Sequence, residues 1–199
     1  RENITGPLGM DSTWFNPPSE LHKNIVDYQV RNGGSFEIAG PRIPDLTDFF
    51  GGGGGLMSSA KDYMRLLKCL YHGGQLDGIK ILNDNTVDLM FEDHLTKELH
   101  IGMTEAPEEH SWSNNGQFCQ DMSSGRWGLG WALESEDTNG LRSPRTAYWA
   151  GIFNTYFTLD RSKGIAVLYF SQFLPFDDNE AYQLYKVFEE EVYRCSGFS

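Results

Sequence analysis

The sequence has few basic residues and no long hydrophobic run. Its 16 Lys and Arg residues are outnumbered by 28 Asp and Glu residues, which gives a formal net charge of −12. Nucleic acids and anionic membrane surfaces are bound through basic patches, so neither is an expected partner. No apolar run approaches the roughly 18 residues that a transmembrane helix needs. The charge says little about small-molecule substrates, which remain open.

Patterns typical of disulfide frameworks and metal sites are also missing. The three cysteines, Cys69, Cys119 and Cys195, are odd in number and widely spaced. We expect Cys69 and Cys195 to be small apolar residues of helices, and a reducing compartment such as the cytoplasm is preferred. The five histidines show no His-Glu-x-x-His spacing, so we expect no metal and no cofactor.

No Gly-x-Ser-x-Gly element marks a serine nucleophile, but Ser58 to Lys61 spells Ser-x-x-Lys. In that chemistry a Lys one helical turn after the Ser activates it. The same residues also predict the start of a helix, with Ser58 or Ser59 as N-cap and Asp62 completing the Ser-x-x-Asp pattern. Lys61 falls on the polar face of that helix, with Asp62, where it would stay protonated. Helix capping is therefore the favoured interpretation.

Five consecutive glycines, residues 51–55, precede this helix. A phosphate-binding loop would follow a clear strand and carry a Gly-Lys-Ser/Thr element, and both are absent. We expect instead that the glycine backbone passes close to another element. After the helix, Asp77-Gly78 predicts a short hairpin.

The richest pattern in the chain lies at residues 145–172. Residues 146–159 are rich in aromatic and β-branched side chains and predict a strand, and Asp160 to Gly164 predicts a turn. Residues 165–170 are almost all apolar, which favours a strand covered on both faces in the middle of a sheet. Within the first strand, Gly151 indicates either a close contact inside the sheet or an edge that hydrogen-bonds a substrate. The residues alone leave both interpretations open.

The other elements are predicted from periodicity and breakers. We expect a loop at residues 36–50, a helix at 86–94, a long polar loop at 95–125 and a strand at 127–133. A last helix is predicted at residues 178–193, with Glu189-Glu190-Glu191 on a solvated face. Its predicted apolar stripe consists of Ala181, Leu184, Tyr185, Phe188 and Val192.

Five segments in order resemble one family, and the likeness runs through nearly the whole chain. They are Pro7-Leu8-Gly9-Met10 with Thr13 and Phe15; residues 52–63, read Gly-Gly-Gly-Gly-Leu-Met-Ser-Ser-Ala-Lys-Asp-Tyr; residues 73–82; Gly128-Leu129-Gly130-Trp131; and Trp149-Ala150-Gly151 with Thr155, Phe157 and Asp160. In this order they resemble the second half of the serine β-lactamase-like family. That family includes class C β-lactamases, D-alanyl-D-alanine carboxypeptidases, esterases and acyltransferases.

The resemblance implies an α/β (α+β) fold in which an antiparallel sheet is flanked by helices and carries a helical insertion. Residues 1–125 would form the helical and loop part, and residues 126–199 the sheet strands and C-terminal helix. The family's Ser-x-x-Lys nucleophile and Tyr-x-Asn base precede the Pro-Leu-Gly-Met segment. Both are therefore expected outside this chain, in an N-terminal half.

The resemblance also implies a site. Trp149-Ala150-Gly151 occupies the place of the family's Lys-Thr-Gly motif on an edge strand, and the backbone N–H of Ile152 would be an oxyanion donor. Loss of Lys and Thr removes the groups that hold a β-lactam or peptide carboxylate. The expected substrate-binding residues are Trp149, Ala150, Gly151, Phe153, Trp112, Phe173 and Phe176.

Members with a Trp-x-Gly version resemble esterases and transesterases, in which Trp149 would face a neutral ester. The implied function is a serine hydrolase or acyltransferase that acts through an acyl-enzyme on a small ester or an acyl-carrier substrate. Two alternatives stay open at this point. One is a non-catalytic binding or scaffold protein of the same fold, and the other is a β-lactamase or D-Ala peptidase.

Overall fold

The protein has a mixed α/β fold, as the sequence predicts. The computed structural model describes residues 1–41, 48–96, 98–99, 101, 116–122, 125–135 and 141–198. The strands are β1 Asp27–Asn32, β2 Ser35–Pro41, β3 Gln75–Leu76, β4 Ile79–Lys80, β5 Arg126–Trp127, β6 Ala132–Leu133, β7 Ala147–Gly151, β8 Thr155–Asp160, β9 Ile165–Tyr169 and β10 Phe173–Leu174. The α-helices are α1 Ala60–Tyr71, α2 Asp84–Met90, α3 Gln117–Asp121 and α4 Asn179–Cys195. None of the described helices is long and apolar enough to cross a bilayer.

The main sheet is antiparallel, with strand order β5-β6-β7-β8-β9. The single strand predicted over residues 146–159 is wrong, because β7 and β8 are separate strands joined by a turn at residues 152–154. The turn contains Asn154 at φ 58°, a left-handed conformation that Asn tolerates better than most residues. Three-residue hairpin loops commonly end in such a residue. The predicted turn after Asp160 is confirmed.

The strand β9 is covered on both faces but lies at the end of the described sheet. Its residues Ile165 and Val167 pack into a cluster with Tyr185 of α4, and Leu168 packs on the other face against a cluster that contains Leu67 of α1. This alternation follows from the two-residue repeat of a strand. The expected burial is confirmed, whereas the expected central position is not, since β8 is the one described strand that pairs with β9.

A second, three-stranded sheet has the order β10-β1-β2. The strands β1 and β2 form an antiparallel hairpin, and β1 pairs in parallel with β10, with Gln29 opposite Phe173. The loop predicted at residues 36–50 is therefore wrong for its first part, which is β2. Several apolar side chains of this hairpin are exposed, so its apolar residues do not mark a buried face from which a strand could be predicted.

The start of α1 confirms the capping interpretation. The Ser59 hydroxyl accepts a hydrogen bond from the Asp62 backbone N–H at 3.2 Å, and Lys61 is exposed. Asp62 does not lie on the polar face as predicted. The residue is 4% exposed, and its carboxylate accepts hydrogen bonds from the Thr13 hydroxyl at 2.9 Å and the Ser12 N–H at 2.7 Å. These bonds tie the N-terminal segment to α1.

The glycine run does not make the close approach that the sequence predicts. A Cβ added at Gly52, Gly53 or Gly54 would meet no described atom within 4 Å. Gly55 is the residue of the run whose backbone conformation favours glycine, because its φ of 92° is one that L side chains rarely adopt. The nearby Asp77-Gly78 turn between β3 and β4 forms as predicted, with both residues at positive φ.

The helix α4 is rotated relative to the predicted stripe. Its buried residues are Ala181, Tyr182, Tyr185, Glu189 and Tyr193, while Leu184, Val187 and Phe188 are exposed. Glu189 is not solvated, because it is fully buried against Arg142, and both Arg142 Nε and Nη2 donate to its carboxylate at 2.9 and 3.0 Å. Cys195 is exposed rather than an apolar filler.

Two short segments also differ from prediction. The strand expected at residues 127–133 is a hairpin of β5 and β6, turned where the Gly128 N–H donates to Trp131 O. The polar loop expected at residues 95–125 contains α3, whose Phe118 and Cys119 are buried. Asp177 accepts hydrogen bonds from both of their backbone N–H groups, at 3.0 and 3.1 Å, and so caps this helix from a distant segment.

Candidate active site

The candidate site lies at the end of β7 that carries Trp149, Ala150 and Gly151. These residues pair with Phe157, Tyr156 and Thr155 of β8. On the other side, β6 pairs with β7 at Ala147 and Tyr148 alone. Within the described part of the chain, residues 149–151 therefore present an open strand edge, whose backbone groups are free to bind another extended group.

The glycine in this strand has a steric explanation. A Cβ added at Gly151 would lie 2.4 Å from Thr155 Oγ1, its cross-strand neighbour. The close sheet contact that the sequence allowed is therefore present. The alternative, that the edge binds a substrate, is compatible with it, because β8 occupies one side of β7 and leaves the other open.

Ile152 begins the turn that follows this edge. The residue is 43% exposed, and within the described residues its N–H makes no turn or loop hydrogen bond. A backbone N–H at the end of a strand, with no hydrogen bond to the described residues, is the kind of donor that an oxyanion hole uses.

Asn154 closes the same turn and anchors it. The side chain is completely buried and makes four hydrogen bonds. Its Nδ2 donates to the carbonyl oxygens of Phe173 at 3.0 Å and Pro175 at 2.8 Å. Its Oδ1 accepts from the Tyr156 hydroxyl at 3.1 Å and the Asp178 N–H at 3.0 Å. Sequence reasoning missed this residue, although Asn is a common turn residue because it tolerates the left-handed conformation.

A serine supports the turn from the other side. The Ser171 hydroxyl lies 2.9 Å from Phe153 O and 2.6 Å from Asn154 O and donates to them. The Phe153 ring packs against Tyr28 of β1, with ring centroids 5.6 Å apart. The turn therefore contacts the small sheet as well as the segment after β9.

An aromatic wall extends from Trp149. The Trp149 ring lies edge-on to Trp127, with centroids 4.8 Å apart, and faces Phe118 at 6.3 Å. Phe118 in turn contacts Phe176 at 5.9 Å. Two of the predicted substrate-binding residues, Trp149 and Phe176, are thus brought together by Phe118. The spacing of Phe118, Cys119 and Met122, which suits one buried turn of helix, was the signal available for it.

The remaining predicted residues are placed differently. Ala150 is half-buried against the cluster that contains Tyr156. The Phe173 ring packs against Phe36 of β2 with centroids 5.2 Å apart, while its carbonyl oxygen binds Asn154. Trp112 lies outside the described residues.

The titratable groups near the wall are poorly suited to act as bases or nucleophiles. Burial, aided by the nearby Asp177, raises the pKa of the Cys119 thiol to about 12. Burial also raises the pKa values of Tyr156 and Tyr182 well above their ordinary range. These groups therefore stay protonated near neutral pH. Among the described residues, no three His, Cys, Asp or Glu side chains form a group that could hold a metal ion.

A cleft of about 730 Å³ lies at the opposite end of the β7–β8 hairpin. It is lined by the C-terminal ends of α1 and α2, by residues 144–146 and by Arg161 and Ser162. Because it lies at the end of the strands away from Ile152, it is not part of the candidate site.

Comparison with known proteins places this geometry in a family. The Beta-lactamase family model matches residues 1–190. The chain belongs to that family. The monacolin J acid methylbutanoyltransferase of Aspergillus terreus is 27% identical over 205 residues, which cover 97% of this chain and 48% of that protein. The lovastatin esterase of Penicillium rubens is 27% identical, covering 98% of this chain and 49% of that protein.

A solved structure shares the fold of this Beta-lactamase family chain. The simvastatin synthase LovD of Aspergillus terreus, in its LovD6 mutant, superposes with a TM-score of 0.78 at 25% identity. The match covers 98% of this chain and 49% of that one. The chain thus spans about half the length of the curated relatives it matches.

Proposed function

We propose that this chain supplies the oxyanion donor and the acyl-binding wall of a serine esterase or acyltransferase. The nucleophilic serine and the tyrosine base belong to an N-terminal half. The complete enzyme, meaning this chain together with that half, transfers the acyl group of a small ester or of an acyl carrier to water or an alcohol. The observation that carries the proposal concerns the described residues, among which β7 has an open edge at 149–151 and the Ile152 N–H that follows has no partner.

In the proposed reaction, the backbone N–H of Ile152 stabilises the oxyanion. The serine oxygen attacks the ester carbonyl, its proton passes to the base, and the carbonyl oxygen becomes an oxyanion. The Ile152 N–H donates to that oxygen, and one such donor contributes roughly 3 kcal/mol to transition-state stabilisation. Collapse of this tetrahedral intermediate breaks the ester bond, the base returns its proton to the leaving alcohol, and an acyl-enzyme remains, which water or a second alcohol then attacks.

The side chains at the edge favour a neutral ester over a β-lactam. Where the family carries Lys-Thr-Gly, this chain has Trp149-Ala150-Gly151, which offers no cation or hydroxyl to a substrate carboxylate. The half-buried side chains of Trp149 and Phe176 are apolar and suit an acyl chain, and the buried Phe118 contacts both of them. The names of the methylbutanoyltransferase and the lovastatin esterase agree with acyl chemistry in related proteins.

Two surfaces of the chain favour an N-terminal half. The outer edge of β9 has no strand partner among the described residues. On α4, Leu184, Val187 and Phe188 are 57%, 55% and 45% exposed. Their spacing forms one stripe of a helix, and an exposed apolar stripe is typical of a surface that packs against further structure.

Labelling with a fluorophosphonate, followed by intact and peptide mass spectrometry of the complete enzyme, tests the proposal. We expect one label, on a serine of the N-terminal half, and turnover of short-chain nitrophenyl esters without hydrolysis of a chromogenic cephalosporin. Label on Ser58 or Ser59 would make this chain the catalyst. The absence of any label and of any turnover would instead favour a non-catalytic binding protein.

The oxyanion role has a direct test in Ile152→Pro, which removes the N–H. Proline suits the first central position of a tight turn, and the extended residue before it is compatible with proline. We expect kcat to fall by roughly 10²-fold or more, as for other oxyanion donors. Ile152→Val keeps the N–H and measures the effect of side-chain volume alone. Equal kcat values for the two variants would exclude Ile152 as the donor.

A further inference from the structure

We propose that Asn154 is a positioning residue that couples the oxyanion donor to the acyl-binding wall. The inference rests on the proposed function and extends it to specificity. A single buried side chain bonds the turn that carries Ile152 to the segment that carries Phe173 and Phe176. The geometry of the oxyanion and the choice of acyl chain therefore depend on the same residue.

The first support is the completeness of the hydrogen bonding. An Asn amide offers two donor hydrogens and one oxygen with two lone pairs, and all four positions are used here. The side chain is fully buried, so water does not compete for these positions. A fully satisfied buried polar group of this kind fixes the relative position of the segments it joins.

The second support is where the four bonds lead. The amide nitrogen bonds the backbone on both sides of Leu174, at Phe173 and Pro175. The amide oxygen bonds Tyr156 in β8 and the backbone of Asp178, which caps α4 through its own carboxylate. Asn154 thus joins the turn, the segment between β9 and α4, and the start of α4.

The third support is the conformation of Asn154 itself. Its φ of 58° lies in the left-handed region, where most side chains are strained. The Ser171 hydroxyl donates to the carbonyl oxygens of Phe153 and Asn154 and so holds the turn in this shape. Backbone conformation and side-chain bonds therefore make separable contributions at this position.

Asn154→Gly separates these contributions, since glycine accepts the left-handed backbone but makes none of the four bonds. We expect kcat/KM to fall roughly 10- to 100-fold, the size expected for a misplaced catalytic group. The ratio of kcat/KM for a nitrophenyl methylbutanoate to that for nitrophenyl acetate should change at least about threefold, because the segment that holds Phe176 in the wall is released as well. A ratio of rates is independent of the amount of folded enzyme, so a loss of stability alone leaves it unchanged.

The matched control is Asp77→Gly. Asp77 has a φ of 50° in the β3–β4 turn and is exposed, away from the candidate site. We expect this variant to keep both the rate and the ratio of the parent. An unchanged ratio in Asn154→Gly, with kcat lowered or not, would overturn the coupling.

Amide hydrogen exchange gives a readout that does not depend on turnover. In Asn154→Gly we expect exchange to rise at least about tenfold in both residues 151–155 and residues 171–178, because each segment loses its bonds to the other. Faster exchange in one segment alone would overturn the coupling. If the parent enzyme turns over neither ester, the proposed function fails, while joint exchange of the two segments still supports Asn154 as their link.

Discussion

Two buried polar networks lie near opposite ends of β8 and hold the same sheet in different ways. At its start, the neutral amide of Asn154 joins the candidate active-site turn to the segment before α4. Towards its end, Thr158 donates to Glu189 of α4, which is paired with Arg142. The four hydrogen bonds of Asn154 in the first network join neutral groups, whereas the second network contains a buried ion pair.

The two networks have different roles: the first positions the candidate active-site turn, and the second attaches α4 to the sheet. Neutral hydrogen bonds fix a turn without adding a charge next to a developing oxyanion, where an anion would be repelled. The ion pair lies on the face of the sheet that packs against α4 and holds that helix. Burial alone would raise the pKa of Glu189, but attraction to Arg142 and hydrogen bonds from Arg142 and Thr158 hold it below its ordinary value.

Breaking the ion pair should have the largest effect on stability. Arg142→Met leaves the Glu189 carboxylate buried beside Lys186 at 3.6 Å, without its main partner. We expect the free energy of unfolding of the complete enzyme to fall by about 3–5 kcal/mol, measured by urea denaturation. Arg194→Met is the matched control, because Arg194 pairs with Glu191 on the exposed surface of the same helix. A similar loss in both variants would contradict the role of burial.

Placing a charge in the neutral network tests its neutrality. In Asn154→Asp, one carboxylate oxygen would face the carbonyl oxygens of Phe173 and Pro175 with no proton to donate. We expect a loss of about 3 kcal/mol at neutral pH. Because the charged form is disfavoured, the pKa of this Asp would be raised in the folded state. The loss should therefore shrink as pH falls, and equal losses at pH 7 and pH 4.5 would contradict this account.

The parent protein should show the opposite pH dependence. The pKa values of Glu189 and Asp160 are lowered in the folded state, the latter because hydrogen bonds from Ser143, Lys163 and Tyr193 outweigh burial. Their contribution is complete above the ordinary carboxyl pKa values of about 4 and is lost as pH falls through the folded-state values. We expect the free energy of unfolding to fall by an amount on the order of 2 kcal/mol between pH 5 and pH 3. The midpoints of urea denaturation at each pH measure this change. Arg142→Met should flatten this dependence.

The smallest expected effect on stability concerns Gly151, at the end of β7. Gly151→Ala places a Cβ 2.4 Å from Thr155 Oγ1 and should cost about 1 kcal/mol of stability. Thr155→Ala removes the hydroxyl that the new methyl group would meet. We expect the double variant to be less destabilised than the sum of the single ones, in a double-mutant cycle. Additive losses would show that the contact is not the reason for a glycine at this position.

Local chemistry made part of this fold predictable. The Ser59 cap, the Asp77-Gly78 turn and the turn after Asp160 depend on neighbouring residues, and all three are confirmed. The family likeness and the mixed α/β fold also agree with the comparisons. The site residues themselves stay predictions, supported by the open edge at Trp149 to Gly151.

What escaped prediction depends on partners distant in sequence. The left-handed turn at Asn154 is held by acceptors at Phe173 and Pro175, 19 and 21 residues away. Because these acceptors are not visible in the local pattern, the run of β-forming residues predicts one strand. Glu189 is buried because Arg142, 47 residues away, neutralises it. No pattern within α4 contains that information, and with Glu189 on the buried face of the helix Leu184 and Phe188 are exposed.

The open edge of β9 also bears on how the chain behaves when it is made alone. Ile165–Tyr169 is a short run of β-forming residues with low charge, and its outer edge pairs with no strand in the described part of the chain. Such an edge is a template for self-association. A neighbouring copy of the chain offers the same edge and can add to it in place of the proposed N-terminal half. Synthesis of the two halves together would therefore act as protection against aggregation, because the edge is covered as soon as its own partner strand is present.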